Sequence, residues 1–202
     1  RSGIGFNIGE LCDFAGEIFE KEQQILIIVN TKDCARKAYE KLKERYENNC
    51  KVFHLSTNMC AENRHNILKK VKKELDEKNR IICVSTQLIE AGVNISFRAV
   101  IRSLAGFDSI IQAAGRCNRH GKNENGNVYI VKMSSEAENI SRLTDIKEAQ
   151  TATQEVLYQY RKNPESMGNS LISKQAMELY YQRYFYQRKG EIKYNAHIEG
   201  GA

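Results

Sequence analysis

The sequence predicts an α/β fold: a parallel β-sheet sandwiched by helices, with a C-terminal helical extension. Three observations carry that expectation. Short runs such as Ile25-Leu26-Ile27-Ile28-Val29 are uniformly apolar rather than alternating, which suits strands buried on both faces. Between such runs lie longer stretches with apolar residues at helical spacing, and strands that alternate with helices imply βαβ units. After residue 135 the strand signal stops and helical periodicity takes over. The expected division is residues 8–135 for the sheet domain, 136–189 for a helical extension or connector, and 190–202 for a flexible tail.

The elements follow in order. Residues 8–20 read as a helix, with Ile8, Leu11, Cys12, Ala15, Ile18 and Phe19 at helical spacing. The strand 25–29 is next. Thr31 is then placed to cap a helix whose stripe is Ala35, Ala38, Tyr39, Leu42 and Tyr46. Val52 to Leu55 is a second strand, and Ser56-Thr57-Asn58 is a loop. A helix follows, with Ile67, Leu68, Val71 and Leu75 inward and lysines outward. Ile81 to Val84, Ala99 to Ile101 and Asn127 to Val131 are three further strands. The helix between the last two has Asp108 and Ser109 as expected N-caps. Residues 138–161 read as helix. Pro164 and Gly168 mark a polar break, and Ser173 caps a final helix rich in Tyr180, Tyr181, Tyr184, Phe185 and Tyr186. That aromatic stripe is expected to pack against a neighbour; stacking on nucleic-acid bases is the competing use.

Composition narrows the class. A net charge of +6 permits a polyanionic partner without demanding one. The six cysteines include no CxxC and no paired Cys/His spacing of a zinc site, and several lie in apolar runs. Buried reduced thiols follow, and with them a cytoplasmic setting. No apolar run is long enough to span a membrane, so no membrane partner is expected. The four histidines are scattered and none is followed by Asp, which argues against a metal nuclease centre.

The chemistry concentrates at strand ends, where open parallel sheets bind ligands. Four polar loops leave such ends: Asn30-Thr31, Ser56-Thr57-Asn58, Ser85-Thr86-Gln87 and Ser103 to Asp108. Any one of them could be a simple helix cap. Together, their hydroxyls suit a sugar–phosphate backbone. The second feature is Gln112-Ala113-Ala114-Gly115-Arg116-Cys117-Asn118-Arg119. On a continuous helix, Gln112, Arg116 and Arg119 share one face, an amide and two guanidiniums behind small residues. That face suits several anionic oxygens, although basic residues also suit a helix C-terminus.

Thr86 through Asn94, with Gly92 inside it, resembles the fifth motif of superfamily 2 helicases. Gln112 to Arg119 resembles their sixth motif and Ile25 to Thr31 their fourth, in matching order and separation. Asp108 to Arg119, together with Leu55 to Cys60 and Arg64, is similar to the helicase–nuclease of type I CRISPR systems. The resemblance covers roughly Ile8 to Phe185 and implies the second RecA-like domain of that enzyme. It implies Arg119 as an arginine finger toward ATP held on a partner domain. Arg116 would assist at the phosphates or hold the closed interface, and Gln112 would bond the nucleotide or orient Arg119. Gly92 and Asn94 would lie near the ribose or the interdomain cleft. Thr31, Ser56, Ser85 and Thr86 would lie on single-stranded DNA. Asn94 stands where the family usually has Asp, which keeps hydrogen bonding and loses charge. The implied cofactor is ATP with Mg²⁺. The implied partners are single-stranded DNA, the first RecA-like and nuclease domains of the same polypeptide, and an RNA-guided CRISPR surveillance complex.

No G-x-x-x-x-G-K-[ST] loop and no Asp-Glu box at a strand end occur in the chain. It holds half of an ATPase and is expected to be a piece of a longer polypeptide, inactive alone. Two other readings stay open: a non-catalytic α/β nucleic-acid-binding module, and a superfamily 2 helicase domain acting on another nucleic acid.

Overall fold

The computed structural model describes residues 5–57, 59–89, 94–117 and 126–188. Of the residues singled out in the sequence, Gly92, Arg119, Asn58 and Glu90 lie outside this set, as does the tail 190–202.

The expected α/β sandwich is present. Its strands are β1 (Gln24–Ile28), β2 (Lys51–Leu55), β3 (Ile81–Ser85), β4 (Ala99–Ser103) and β5 (Asn127–Val131), all parallel in the order β2-β3-β1-β4-β5. The helices are α1 (Ile8–Glu22), α2 (Lys32–Tyr46), α3 (Ala61–Asp76), α4 (Phe107–Ala114), α5 (Thr144–Lys162) and α6 (Lys174–Gln187).

Pleating sorts the central strand into two cores. Ile25 and Ile27 join Ile82, Val84, Ala99 and Ile101 beneath α1 and α2. Leu26 and Ile28 join Ile81, Cys83 and Val100 beneath α3, Ile89, Ile95, Phe97 and Ala113 of α4. Removing each such side chain from water is worth about 1.5–3 kcal/mol, which explains the unbroken apolar run in β1. The crossovers share one hand. The move from β1 to β2 passes over the α2 face, and the opposite moves to β3, β4 and β5 pass over the other face, as the chirality of βαβ units requires.

Local signals set the helix starts. Thr31 caps α2, its Oγ1 accepting from the Cys34 amide at 3.3 Å. Asn7 and Glu10 form a reciprocal capping box on α1. Two expectations are corrected. The cap of α4 is Gly106, with Asp108 inside the first turn. The helix expected over 138–161 starts at Thr144; Leu143 precedes it, and residues 135–143 form turns.

The helical extension is not a loose appendage. Phe107 of α4 shares a core with Ala152 and Val156 of α5, Met167, and Ala176 and Tyr180 of α6. The Tyr180 hydroxyl donates to Asp108 at 3.2 Å. Gly106 permits this approach, because a Cβ there would lie 2.7 Å from the Tyr180 hydroxyl. The aromatic stripe therefore divides. Tyr180 packs inward, whereas Tyr181, Phe185 and Tyr186 stay exposed.

Candidate functional site

Parallel strands in level register bring four loops to one edge. Leu55 and Ile28 both pair with Ser85, Ile28 also pairs with Arg102, and Ser103 pairs with Val131. β1 feeds the helix on one face, and its neighbours β3 and β4 feed the other face. Strand ends that diverge to opposite faces open a crevice between them, and here β1 has one on each side.

The crevice toward β4 is filled by protein. Arg102 is fully buried, and its Nη1 donates to Asn30 Oδ1 at 2.9 Å, to the Ser103 carbonyl at 3.0 Å and to Ser103 Oγ at 3.2 Å. Glu138, also buried, arrives from beyond β5. Its Oε1 accepts from the Asn30 amide and from Ser103 Oγ (3.1 Å), and its Oε2 accepts from Asn30 Nδ2 (2.8 Å). The loop after β4 is then roofed by α5. Gln150 Nε2 donates to the Leu104 carbonyl at 2.7 Å, and Thr153 Oγ1 donates to that of Ala105 at 2.8 Å. The fourth polar loop expected from sequence, Ser103 to Asp108, is thus largely buried under the extension.

The crevice toward β3 holds the hydroxyls proposed for nucleic acid, and they are not equivalent. Thr31 is partly exposed, and capping α2 uses its oxygen as acceptor, which leaves the O–H to donate outward. Thr86 is buried, and its Oγ1 has no hydrogen-bond partner among the described residues. Ser56 is buried in the adjoining loop. Ser85 is fully buried, and its hydroxyl donates to the Thr86 carbonyl at 2.9 Å.

The shared helical face of Gln112 and Arg116 is also corrected. α4 ends at Ala114, and a tight turn at Gly115 breaks the periodicity. Gln112 stays exposed on the helix. Arg116 folds inward, buried, with its Nε donating to the Ile89 carbonyl at 3.0 Å. The Phe97 amide donates to the Arg116 carbonyl at 2.8 Å, and the Cys117 thiol reaches the Arg98 carbonyl at 3.3 Å. Arg116 and Cys117 are thereby tied to Ile89, Phe97 and Arg98. Asn94 is exposed.

Cysteine chemistry does not compete at this edge. Burial raises the Cys12, Cys50 and Cys117 thiols to about 11, which keeps them protonated and weakly nucleophilic at neutral pH. Among the described residues no three His, Cys, Asp or Glu side chains gather as a metal site, and no helix is long and apolar enough to cross a membrane.

The comparisons with known proteins bear on the same edge. The family model for the C-terminal part of the CRISPR-associated nuclease/helicase Cas3 matches residues 21–122, half of the chain, and spans all five strand ends but that of β5. The chain belongs to the Cas3-like C-terminal family. A Cas3 nuclease/helicase of Methanothermobacter thermautotrophicus is 30% identical over 155 residues, which is 75% of this chain and 18% of that relative. The Cas3-like chain thus spans about a fifth of the length of this curated relative. T. fusca Cas3 with ADP has the same fold, with TM-score 0.69 and 16% identity over 89% of this chain and 24% of that one. So does domain 2 of the DEAD-box helicase Mss116p bound to an RNA duplex, with TM-score 0.52 and 14% identity over 89% of this chain and 82% of that one. The fold is that of a helicase C-terminal RecA-like domain.

Arg102, Glu138, Gln150 and Thr153 were not singled out from sequence. One signal was present: Arg102 follows directly on the apolar run Ala99-Val100-Ile101, and a charged side chain there needs built partners. Nothing local marks Glu138, whose partners lie 108 and 35 positions away.

Proposed function

We propose that this Cas3-like chain is the second motor domain of an ATP-dependent single-stranded DNA translocase or helicase in CRISPR interference. The observation that carries the DNA side is at the ends of β1 and β3, where the buried Thr86 hydroxyl has no partner among the described residues and Thr31 is partly exposed. An unsatisfied buried hydroxyl costs about 1–3 kcal/mol, which a phosphate oxygen seated on the strand ends recovers. Ser56 completes the backbone-facing row. Contacts of this kind hold the backbone without reading sequence, as a motor on DNA opened by an RNA-guided surveillance complex requires.

On the nucleotide side, ATP with Mg²⁺ would be held mainly by the first motor domain of the same polypeptide and would supply the free energy for closure and opening of the two domains. Arg119 meets its phosphates across the cleft, and Gln112 reaches from the exposed face of α4. Gly92 and Asn94 border the ribose. Arg116 serves as the brace that fixes the approach of Arg119, supported by its bond to the Ile89 carbonyl. The bound ADP of the T. fusca structure supports this nucleotide reading. The sheet domain 8–135 carries these groups, and 136–189 acts as a docked extension.

Thr86→Val tests the DNA side, because it removes one hydroxyl and conserves shape. Fluorescence anisotropy with oligo-dT is expected to show affinity falling about tenfold, the loss of roughly one hydrogen bond to a charged acceptor. The melting temperature is expected to hold or rise, since an unsatisfied group has been replaced by a methyl. Unchanged affinity would remove Thr86 from the interface.

A further inference from the structure

Thr31 can serve a phosphate only if the Asn30-Thr31 turn is held at the end of β1, and the backbone ladder stops just short of it. Val29 makes the last bond to a neighbouring strand, its amide donating to the Ser85 carbonyl at 3.0 Å, and the next backbone bond is made at the Thr31 carbonyl, which accepts from the Ala35 amide of α2 at 3.1 Å. Between them the Asn30 amide is held by a side chain. We infer that Glu138, joined to the sheet domain from the segment beyond β5, is a positioning residue that clamps this turn and so sets the phosphate contact of Thr31. The inference rests on the proposed DNA reading of the β1–β3 crevice.

The geometry admits one arrangement. The two carboxylate oxygens of Glu138 take three donors: the Asn30 amide, Asn30 Nδ2 and Ser103 Oγ. Asn30 cannot turn its amide over to suit another neighbour. Its Oδ1 accepts from Arg102 Nη1, and its Nδ2 also donates to the Leu104 carbonyl at 2.8 Å. The Asn30 amide and both polar atoms of its side chain are thereby assigned. Gln150 takes the same Leu104 carbonyl from α5, so the helical extension, Glu138 and the strand-end turn form one connected unit. A shift of the extension would reach Thr31 through Glu138 and Asn30.

Glu138→Gln is the discriminating variant. Its volume is unchanged, but in either orientation its NH₂ faces Asn30 Nδ2 or the Asn30 amide, a donor set against a donor. Amide hydrogen exchange by NMR reads the clamp without reference to DNA. The Asn30 amide is expected to exchange at least about tenfold faster in Glu138→Gln, while the Val29 amide, held by Ser85, keeps its wild-type protection. An unchanged Asn30 rate, or equal acceleration at both amides, overturns the clamp.

Oligo-dT affinity supplies the second arm, with Thr31→Val, Glu138→Gln and the double variant. If Glu138 acts through Thr31, each single change weakens binding about tenfold and the double variant loses no more than either alone. A purely structural Glu138 gives losses that multiply, which also overturns the positioning role. If Thr31→Val binds like the wild type, the DNA reading of Thr31 fails, and the exchange rates still decide whether the clamp exists.

Discussion

Replacing Arg119 by alanine in the longer helicase is expected to lower DNA-stimulated ATP turnover about 10³–10⁵-fold, with ATP affinity changed little. Phosphoryl transfer depends on stabilising charge that spreads over the equatorial oxygens in the transition state, and an arginine finger contributes a factor of that size. On the proposed function affinity is spared, because the phosphate cradle is assigned to the other motor domain. Arg116 cannot stand in for Arg119, because it is buried with its Nε committed to the Ile89 carbonyl. Steady-state hydrolysis at saturating DNA, paired with nucleotide titration, separates this role from its competitor. If the arginines only grip nucleic acid, Arg119→Ala weakens DNA binding and leaves turnover at saturating DNA intact.

The second large effect is expected at Arg102. Arg102→Met keeps much of the stem but deletes the donor to Asn30 Oδ1 and to both oxygens of Ser103. It also removes a positive charge from a network that contains the buried Glu138 carboxylate. Breaking a buried charged network by removing one member costs about 3–5 kcal/mol. For a chain of this size that is a fall in melting temperature of roughly 10 °C, measurable by circular dichroism. A shift of a degree or two would mean that water or relaxation satisfies the remaining groups. Glu138→Gln should disturb the same network locally, so the two variants separate global stability from the position of one turn.

The frame of this fold was legible because its signals are local. The continuous apolar run in β1, the cap at Thr31 and the stripe of α2 each lie within one element, and each element formed near its expected limits. The strand-end loops were legible as polar breaks, but the fate of each hydroxyl was not. Ser85 and Thr86 are adjacent and chemically alike, yet the Ser85 hydroxyl bonds to the Thr86 carbonyl and Thr86 Oγ1 has no partner among the described residues. Ser85 is the last residue of β3 and Thr86 the first beyond it, a boundary that residue type does not mark. Helical periodicity misled at Arg116. The Ala-Ala-Gly stretch looked like an unobstructed helix surface, but it ends the helix and lets the arginine turn inward. The network at Arg102 depends on contacts 35 to 108 positions apart, a range at which sequence pattern carries no register.

The most direct measurement is ATP hydrolysis by this 202-residue chain alone, with saturating single-stranded DNA and Mg²⁺. On the proposed function the chain supplies the arginine for the reaction, and its sequence holds neither a phosphate loop nor an Asp-Glu box, so turnover at background level is expected. Addition of the first motor domain, in the longer polypeptide, is expected to restore hydrolysis that depends on Arg119. Appreciable turnover by the chain alone, lost on Arg119→Ala, would contradict the assignment of the two halves of the site to two domains.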